Sequence, residues 1–303
     1  MKNTFANRFR CMLTRISPKL NTKVTYYCKF KRILNLKNPT TFNEKVLWLK
    51  FNTYWENPKI KQCADKYRVR EYIEEQGFGD LLNPMIGAYD DPKQIHWDSL
   101  PNKFAIKFNV GCGKNIIVKD KDKLNIPDTM KKIQGWFNDN NYWQAYSEMQ
   151  YKDVKPYVII EEYLEDKNSA GGGGNLPEDY KFYCMNGKCQ AVLICKDRII
   201  GKRANYFFLD RNWKLLLYTQ EAIDSPNEFI PKPEKAFEAM QMAENLAKDF
   251  PFVRVDFYIV NNKVYFGELT FTPAAGMDIE LMLTPPGESK DVDTILGKQL
   301  KLK

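Results

Sequence analysis

Two acidic residues interrupt apolar sequence in the segment FPFVRVDFYIVNNKVYFGELTFTP, residues 250–273. The alternation of apolar and polar residues predicts two strands, with Asn261 and Asn262 at the turn between them. Asp256 lies in the first predicted strand and Glu268 in the second. Carboxylates in this setting are suited to hold a hard cation such as Mg²⁺, which takes oxygen ligands.

The register of this hairpin decides whether the two acids meet. A two-residue loop pairs Val255 with Glu268 and leaves Asp256 and Glu268 on opposite faces. A three-residue loop, or a bulge at Gly267, places Asp256 opposite Glu268. Like charges about 4 Å apart repel by about 1 kcal/mol in water and by about 4 kcal/mol in a partly buried site, so that register requires a cation. The alternative is that Asp256 pairs with a lysine and Glu268 is a solvated edge residue.

A second candidate site lies in FAIKFNVGCGKNIIVK, residues 104–119. Lys107 falls inside an apolar predicted strand, where a charged side chain needs an anionic partner. Gly111 and Gly113 in the following loop allow backbone N–H groups to approach a phosphate. No Walker motif of the form G-x-x-x-x-G-K-[ST] is present. The segment is either a clamp for nucleotide phosphates or an ordinary hairpin with an edge lysine.

The histidine and cysteine content argues against several kinds of chemistry. The chain has one histidine, His96, in a turn-rich segment, so Ser-His-Asp, Cys-His and two-histidine metal sites are not expected. Seven cysteines are an odd number and include no C-x-x-C pair, so neither structural zinc nor a disulfide framework is expected.

The chain of 303 residues, with 44% hydrophobic and 28% charged residues, has the composition of a folded protein of about two domains. No uncharged apolar run reaches the length of about 18 residues that spans a membrane, and the N-terminus lacks the apolar core of a secretory signal. A cytoplasmic location is therefore predicted.

Basic residues are concentrated at the N-terminus. Residues 1–50 contain twelve Lys and Arg against one acid, whereas the whole chain has a net charge of +8. Such an arm is suited to dock on an acidic polymer or on the inner face of a membrane, and it is also compatible with a plain solvated helix. Nucleic acid is not favoured because no nucleic-acid-binding motif accompanies the charge.

The elements that position the candidate residues form a mixed α+β chain. Thr41 and Glu44 predict a capped helix, and further helices are expected over CADKYRVREYIEEQGFG, over about residues 128–150 and over PEKAFEAMQMAENLAKDF. Phe237 is expected on the core face of the last of these. Residues 165–179 are expected to form a disordered loop, and a hairpin with Asn-Gly at its turn follows. Antiparallel hairpins outnumber βαβ units after residue 100, which excludes a Rossmann domain.

Five segments in order resemble the ATP-grasp superfamily. One of these segments is the strand IIEEYL. More narrowly, a resemblance to the TupA-like ATP-grasp proteins of bacterial surface-polysaccharide clusters is carried by DKYRVREY, LPNKFAIKFNVGCGKNIIVK, DYKFYCMNGK and FPFVRVDFYIVNNKVYFGELTFTPAAGM. The resemblance implies two α+β subdomains that clamp ATP between antiparallel sheets. The domains implied are a basic, mainly helical region (1–60), a helix and strand segment (61–100), a small subdomain with the phosphate loop (101–164) and a large subdomain with the metal-binding hairpin (165–303).

Residue by residue, the resemblance implies that Lys66 and Lys107 contact the nucleotide phosphates under a loop of Gly111, Cys112 and Gly113. The other residues implied to bind the nucleotide are Glu161, Glu162, Tyr163 and Leu164 at adenine, Asp179 or Glu178 at the ribose, and Lys119 and Lys181.

The metal ligands implied are Asp256, Glu268 and Thr270, holding two Mg²⁺ ions, with Thr270 where many relatives have asparagine. Arg203 and Asn205 resemble an Arg-x-Asn pair that some ATP-grasp ligases direct at the reacting groups, and Arg254 and Lys107 are the other catalytic candidates. The loop Asn109-Val110-Gly111-Cys112-Gly113 departs from the Asn-His-Gly-Ser-Gly pattern expected of the subfamily, which puts any side-chain role there in doubt.

The function implied is ATP-dependent carboxylate–amine ligation through an acyl phosphate, joining an amino acid or amine to a carboxyl group of a surface polysaccharide or capsule precursor. One alternative is a glycosyltransferase that uses Asp120 and Asp122 as a D-x-D metal motif. Another is a nucleotide-binding relative without catalytic activity. A location in the cytoplasm, with peripheral contact to the inner membrane face, goes with the first function.

Overall fold

The computed structural model describes residues 5–139, 142–165, 176–198 and 203–302. The helices are α1 (Phe5–Ile16), α2 (Pro18–Phe30), α3 (Phe42–Leu49), α4 (Pro58–Ala64), α5 (Val69–Glu75), α6 (Ile126–Asn138), α7 (Tyr142–Tyr146), α8 (Gln220–Asp224), α9 (Ala236–Ala247) and α10 (Val292–Gln299). The strands are β1 (Met85–Tyr89), β2 (Phe104–Phe108), β3 (Asn115–Val118), β4 (Val158–Glu162), β5 (Asp179–Met185), β6 (Lys188–Lys196), β7 (Asn205–Leu209), β8 (Leu215–Leu216), β9 (Phe252–Val260) and β10 (Lys263–Thr270).

The chain folds into two compact units. Unit 1 comprises Met1–Thr25 and Tyr54–Tyr163, and unit 2 comprises Tyr26–Thr53 and Leu164–Lys303. Each unit contains an antiparallel sheet with helices packed against it, so the predicted α+β class is confirmed.

Unit 1 is built on a four-stranded sheet with the order β1-β4-β2-β3. Alternate residues of the two central strands face the core of this unit. Phe104, Ile106 and Ile160 form the centre of this core, with Ile133 and Trp136 of α6 packed against them.

Unit 2 is built on a six-stranded sheet with the order β10-β9-β5-β6-β7-β8. Two tight hairpins set its register, because Asn186-Gly187 and Asn261-Asn262 all adopt the positive φ that two-residue turns of this kind require. The helix α9 packs against β5, β6 and β9, and α3 packs against α10. The capping box at Thr41 is present as predicted. The Glu44 side chain accepts a hydrogen bond from the backbone N–H of Thr41 at the start of α3.

Three predictions about helices were wrong in part. The helix expected over 128–150 ends at Asn138 in a run of Asn and Asp residues, which favour caps and turns, and a separate α7 follows. The helix expected over CADKYRVREYIEEQGFG is interrupted at Asp65, whose backbone is extended. Phe237 lies on the exposed side of α9 rather than in the core, with the ammonium of Lys232 over its ring. Most of the loop predicted over 165–179 lies outside the described residues.

Candidate functional site

The hairpin of β9 and β10 combines a two-residue loop with a bulge at Gly267. Val260 pairs with Lys263 at the turn, and the register then shifts between Phe266 and Glu268. A side chain at Gly267 would place its Cβ 2.9 Å from the Asp256 carbonyl oxygen, so the bulge requires glycine. Asp256 is consequently paired with Glu268, which is the register that brings the acids together.

The cation between these acids is the guanidinium of Arg254. Its Nε and Nη2 donate to the two carboxylate oxygens of Asp256 at 2.7 and 2.6 Å. The same Nη2 lies 3.0 Å from the hydroxyl of Thr270 and 3.4 Å from Glu268 Oε1. Asp256 is almost completely buried, whereas the Glu268 side chain is 32% exposed.

The neighbouring strand β5 adds a lysine to this cluster. Lys181 is the cross-strand partner of Asp256, and its Nζ lies 2.6 Å from both Asp256 Oδ2 and Asp179 Oδ2. The sequence left two alternatives, that Asp256 lies opposite Glu268 or that it pairs with a lysine. The structure shows both contacts together. We call Asp179, Lys181, Arg254, Asp256 and Glu268 the charge cluster.

Both basic residues of the charge cluster keep their charge. Burial lowers the pKa of the Lys181 ammonium, but the carboxylates of Asp179 and Asp256 outweigh it and raise the pKa above the ordinary lysine value. The guanidinium of Arg254 is buried in the same way, and Asp256 raises its pKa. With three carboxylates and two cations the cluster has a formal charge of −1, which leaves it receptive to a further cation.

The donor set fits a Mg²⁺ ion. Oxygen atoms of Asp256, Glu268 and Thr270 all lie within 3.4 Å of one nitrogen, Arg254 Nη2, and so converge on one cation-sized position. Hard oxygen donors that include only two carboxylates match the preference of Mg²⁺ for few protein ligands plus water and phosphate. No group of three or more His, Cys, Asp or Glu residues with metal-site geometry occurs in the described part of the chain, so a closed protein cage is not present there.

One carboxylate oxygen of the charge cluster is left without a partner. Asp179 Oδ1 is buried and accepts no hydrogen bond, whereas its Oδ2 accepts from Lys181. A buried acceptor that lacks a donor carries a desolvation cost of about 1–3 kcal/mol. The atom is closed off from solvent in this structure, and the ribose contact implied for Asp179 stays a prediction.

A cavity of about 310 Å³ opens beside the charge cluster within unit 2. Lys181 and Arg254 form part of its wall, and Lys29 of α2 is a third cation there. The Lys29 Nζ donates to the carbonyl oxygen of Met277 at 2.5 Å. The aromatic and acidic residues of the wall are Tyr183, Tyr206, Phe208, Tyr218, Asp278 and Glu280.

The turn after β10 forms another side of this cavity and has an unusual backbone. Ala274, Ala275 and Gly276 have φ of 48°, 60° and 78°, three successive left-handed residues of which two carry a side chain. Such strain costs about 1–3 kcal/mol per residue and persists only where the surroundings enforce it.

Contacts with the helix α3 hold this turn in its conformation. A Cβ at Gly276 would lie 2.7 Å from Leu47 Cδ2, and Asn43 exchanges two hydrogen bonds with the backbone of Asp278, at 2.7 and 3.0 Å. The sequence contained no signal for Lys29, Tyr206, Tyr218 or Asp278 as cavity residues, because the segments that carry them are distant in the chain.

Arg203 and Asn205 have partners outside the charge cluster. The half-exposed guanidinium of Arg203 pairs with Glu221 and Glu280 and lies 4.7 Å from the centre of the Tyr206 ring. Asn205 Nδ2 donates to Asp197 at 2.9 Å. Arg203 therefore contacts two residues of the cavity wall, Glu280 and Tyr206. Asn205 contacts Asp197, which is not a wall residue.

In unit 1 the glycine loop is tied to the junction between α4 and α5. Lys66 Nζ donates to the Gly111 carbonyl oxygen at 2.8 Å. Asn109, at the start of the loop, donates from its side chain to Asp65 at 3.0 Å and accepts from the backbone of Lys66 at 2.9 Å. The structure thus brings Lys66 and the loop together, as a shared phosphate role requires.

The loop itself has the backbone that its glycines predict. Gly111 and Gly113 have φ of 80° and 70°, where a side chain would be strained. Cys112 between them is exposed. Lys119, however, follows Val118, which pairs with Phe104 at the opposite end of the β2–β3 hairpin from the loop. The register does not bring Lys119 to the glycine loop.

Lys107 finds its anionic partner in Glu161. The two side chains form an ion pair of 2.6 Å, and Arg70 approaches the other Glu161 oxygen at 3.3 Å. Glu161 and Glu162 lie in β4, and the Glu162 backbone is engaged at both ends by Pro84 and Asn83. Of the hinge predicted over 161–164, Glu161 and Glu162 thus end β4, and Tyr163 and Leu164 follow the end of the strand.

The D-x-D motif is a local turn. Asp120 caps a short 3₁₀ turn by accepting from the Asp122 backbone at 3.2 Å, and it pairs with Lys123 at 2.7 Å. No helix among the described residues is long and apolar enough to cross a membrane.

Comparison with known proteins identifies the class. A family model for TupA-like ATPgrasp proteins matches residues 44–301, most of the chain. The match places the chain among the ATP-grasp proteins. Within that class, the chain belongs to the TupA-like ATP-grasp family, and the resemblance carried by its sequence motifs is confirmed.

Solved structures of ligases show more distant similarity. The D-alanine–D-alanine ligase from Bacillus anthracis complexed with ATP is 13% identical with a TM-score of 0.41, covering 69% of this chain and 55% of that chain. The ADP complex of PurK, N5-carboxyaminoimidazole ribonucleotide synthetase, is 11% identical with a TM-score of 0.43, covering 75% and 50%. The ATP-grasp ligase PsnB with a phosphomimetic precursor variant, Mg and ADP is 13% identical with a TM-score of 0.40, covering 78% and 62%. This chain thus spans between half and two thirds of the length of these ligases. A comparison with curated proteins gives no match.

Proposed function

We propose that this protein is an ATP-dependent carboxylate–amine ligase that works through an acyl phosphate. The observation that carries the proposal is the convergence of Asp256, Glu268 and Thr270 on one cation position beside a cavity, in a chain of the TupA-like ATP-grasp family. In the proposed reaction a carboxylate oxygen attacks the γ-phosphorus of ATP and ADP leaves. An amine then attacks the acyl carbon, phosphate leaves, and the amine loses a proton to give the amide.

We assign the residues to roles in this reaction mainly by their charge. Lys66, Lys107 and the backbone of the glycine loop are proposed to bind the phosphates of ATP, with Tyr163 and Leu164 at adenine. Mg²⁺, held by Asp256, Glu268 and Thr270, would neutralise phosphate charge when bound. Arg254 moves from the carboxylates to the transferring phosphoryl group in this proposal, and Lys181 holds Asp256 in place.

The cavity in unit 2 is the proposed site of the carboxylate substrate. Its volume of about 310 Å³ is that of a small-molecule pocket, and Lys29 gives its wall a cation that lies outside the charge cluster and suits a carboxylate. Lys29 belongs to the basic N-terminal region, which supports the hypothesis that this region helps to bind an acidic acceptor. The acceptor class proposed is a carboxyl group of a bacterial surface polysaccharide or its precursor, joined to an amino acid or amine. The proposal includes a cytoplasmic location, where ATP is available.

A relative without catalytic activity is the second candidate, and two observations favour it. Thr270 supplies a hydroxyl, a weaker metal ligand than the asparagine amide oxygen that the resemblance implies for this position, and the exposed Cys112 and buried Val110 stand where polar residues are expected in the glycine loop. A glycosyltransferase is disfavoured because Asp120 caps its own turn and pairs with Lys123.

The first experiment is a thermal-shift titration with a non-hydrolysable ATP analogue, with and without Mg²⁺. Wild-type protein is expected to gain about 5 °C or more at a ligand concentration about 100-fold above Kd, because a ligand that binds the folded state stabilises it by mass action. The variants Glu268→Gln and Asp256→Asn/Glu268→Gln are expected to lose the Mg²⁺-dependent part of the shift.

The matched control is Asp120→Asn/Asp122→Asn, which removes two acids of the D-x-D turn and is expected to keep the full shift. Glu268→Gln is the more informative single variant, because Glu268 is partly exposed whereas Asp256 is buried between two cations. A wild-type protein that shows no Mg²⁺-dependent shift, or a Glu268→Gln variant that shifts like wild type, contradicts the proposed metal site. Binding without phosphate release in the presence of every carboxylate and amine tested favours the relative without catalytic activity.

A further inference from the structure

The helix α1 exposes an apolar stripe. Phe5, Phe9, Met12 and Ile16 are 86%, 43%, 49% and 69% exposed. Their spacing of four, three and four residues places all of them on one face of the helix. A helix of a globular protein ordinarily turns such a stripe towards the core, so this arrangement is inverted.

The opposite face of α1 is the one that docks on unit 1, and it docks through polar groups. The Thr14 hydroxyl donates to the Gln144 carbonyl oxygen at 2.6 Å and lies 2.7 Å from the Ser147 hydroxyl. Arg10 donates to the Tyr146 hydroxyl at 3.3 Å and lies over its ring. This buried polar contact fixes which side of α1 faces outward, so the exposure of the stripe is specified by the fold.

The chain segment that carries the stripe is basic, although the Asp139 carboxylate interacts with Cys11 of α1. No acid occurs in residues 1–43 of the sequence. Arg8, Arg15, Lys19 and Lys23 are exposed on α1 and on the start of α2. Exposed apolar residues flanked by cations are typical of helices that lie in the plane of a membrane surface, where the apolar residues enter the acyl boundary and the cations meet anionic headgroups.

We propose that α1 binds the surface of an anionic phospholipid bilayer, with Phe5, Phe9, Met12 and Ile16 inserted and the flanking cations on the headgroups. A soluble polyanion would use the cations alone and leave the apolar stripe in water. A second copy of this chain would bring a second basic surface against the first, which charge repulsion opposes. The lipid surface is the occupant that accounts for both features. The proposal is independent of the ligase function, because α1 lies outside the residues 44–301 that match the family.

The test is co-sedimentation of the full chain with vesicles of phosphatidylcholine alone or with about 30% phosphatidylglycerol. Wild-type protein is expected to bind the anionic vesicles at least about tenfold more strongly than the neutral ones, and raised salt is expected to weaken this binding. Phe9→Ser/Ile16→Ser is expected to lower the binding about tenfold or more. Arg8→Gln/Arg15→Gln is expected to lower binding to anionic vesicles and to reduce its salt dependence. Phe229→Ser, which removes a phenylalanine that is 79% exposed in unit 2, is the matched control and is expected to bind as wild type does.

All substituted residues are exposed, but Arg15 also donates to the Gln144 side chain at 3.3 Å, so the melting temperature of each variant is measured beside its binding curve. Absence of wild-type binding to anionic vesicles overturns the proposal. Equal binding of wild type and Phe9→Ser/Ile16→Ser overturns it in favour of a purely electrostatic contact. A wild-type dimer in analytical ultracentrifugation that the same variant converts to a monomer, without vesicle binding, overturns it in favour of a second copy.

Discussion

At the scale of single residues, the two acids in the β9–β10 hairpin are explained by the basic residues that face them. A buried ion pair is seldom a net gain in stability, because the cost of removing charges from water can exceed their mutual attraction. The charge cluster nevertheless holds five charged groups on one face of the sheet, two of them cations, and Asp179 Oδ1 has no hydrogen-bond donor. A cluster of this cost supports the binding site that we propose here.

Lys29 is the residue whose role the structure adds to the proposed function. Lys29→Met is expected to raise the KM for the carboxylate substrate by about tenfold or more, because a charged hydrogen bond contributes about 1.5–3 kcal/mol. The kcat and the nucleotide-dependent thermal shift are expected to stay near wild-type values. The measurement is phosphate release with ATP, an amine and a panel of carboxylic acids.

The matched control is Lys23→Met, which removes an exposed lysine from the same helix but not from the cavity wall. An unchanged KM in Lys29→Met, or an equal rise of KM in Lys23→Met, would contradict binding of the carboxylate substrate at Lys29.

At the scale of elements, the contact of α10 with α3 supports the cavity through a buried carboxylate. Asp293 Oδ1 accepts the backbone N–H of Asn43 at 2.7 Å, so a carboxylate caps the positive end of α3. Gly297 approaches so closely that a Cβ there would lie 2.4 Å from the Thr40 carbonyl oxygen. Burial raises the pKa of Asp293 to about 6, and the hydrogen bonds from Asn43 and Thr41 offset this only in part.

This raised pKa predicts a pH dependence of stability. Between the unfolded value of 3.8 and the folded value of about 6, the folded state binds more protons than the unfolded state, so stability falls as pH rises. The contribution is fully present below about pH 4, and its loss by pH 7 amounts to about 3 kcal/mol. Asp293→Asn keeps an acceptor for Asn43 but does not titrate.

We therefore expect the free energy of unfolding of wild type, relative to Asp293→Asn, to fall between pH 4 and pH 7. Urea unfolding at several pH values measures this difference, with Asp80→Asn as an exposed acid for comparison. Parallel pH profiles for wild type and Asp293→Asn would show that Asp293 does not titrate in this range.

At the scale of the whole molecule, neither unit is a continuous piece of the chain. Unit 2 combines residues 26–53 with residues 164–303. The early segment contributes α3, whose Phe42 packs against Phe252 and Tyr183 at ring distances of 4.9 and 6.0 Å. Val46 and Leu47 are completely buried. Each such side chain contributes about 1.5–3 kcal/mol by burial, so the loss of α3 removes an amount comparable with the whole stability of a typical domain, about 5–15 kcal/mol.

The fragment 164–303 alone is accordingly expected not to fold, whereas the same fragment joined to residues 26–53 through a flexible linker is expected to fold. Thermal unfolding followed by circular dichroism distinguishes the two outcomes. A cooperative transition in the shorter fragment would mean that residues 26–53 are dispensable for unit 2. A linker fusion of residues 164–303 to residues 1–25 of unit 1 serves as a control of similar length.

Local chemistry determined much of this protein from the sequence alone. The alternation in β9 and β10, the turn pairs Asn186-Gly187 and Asn261-Asn262, and the capping box at Thr41 each depend on neighbours within a few residues. The ordered motifs were sufficient to identify the family. Element ends were less predictable, because Asp65 and Asn138 end their helices in settings that a periodic pattern does not distinguish from continuation.

Tertiary structure decided the rest, for a common physical reason. The bulge at Gly267 was one of several registers compatible with the sequence, and the position of Arg254 between the acids follows only from that register. The cavity depends on Lys29, Tyr206 and Asp278, which are brought together from three distant segments. The inverted face of α1 depends on Gln144 and Ser147. Periodicity and turn residues report on each residue's own segment, whereas a site is defined by neighbours that the chain reaches only after folding.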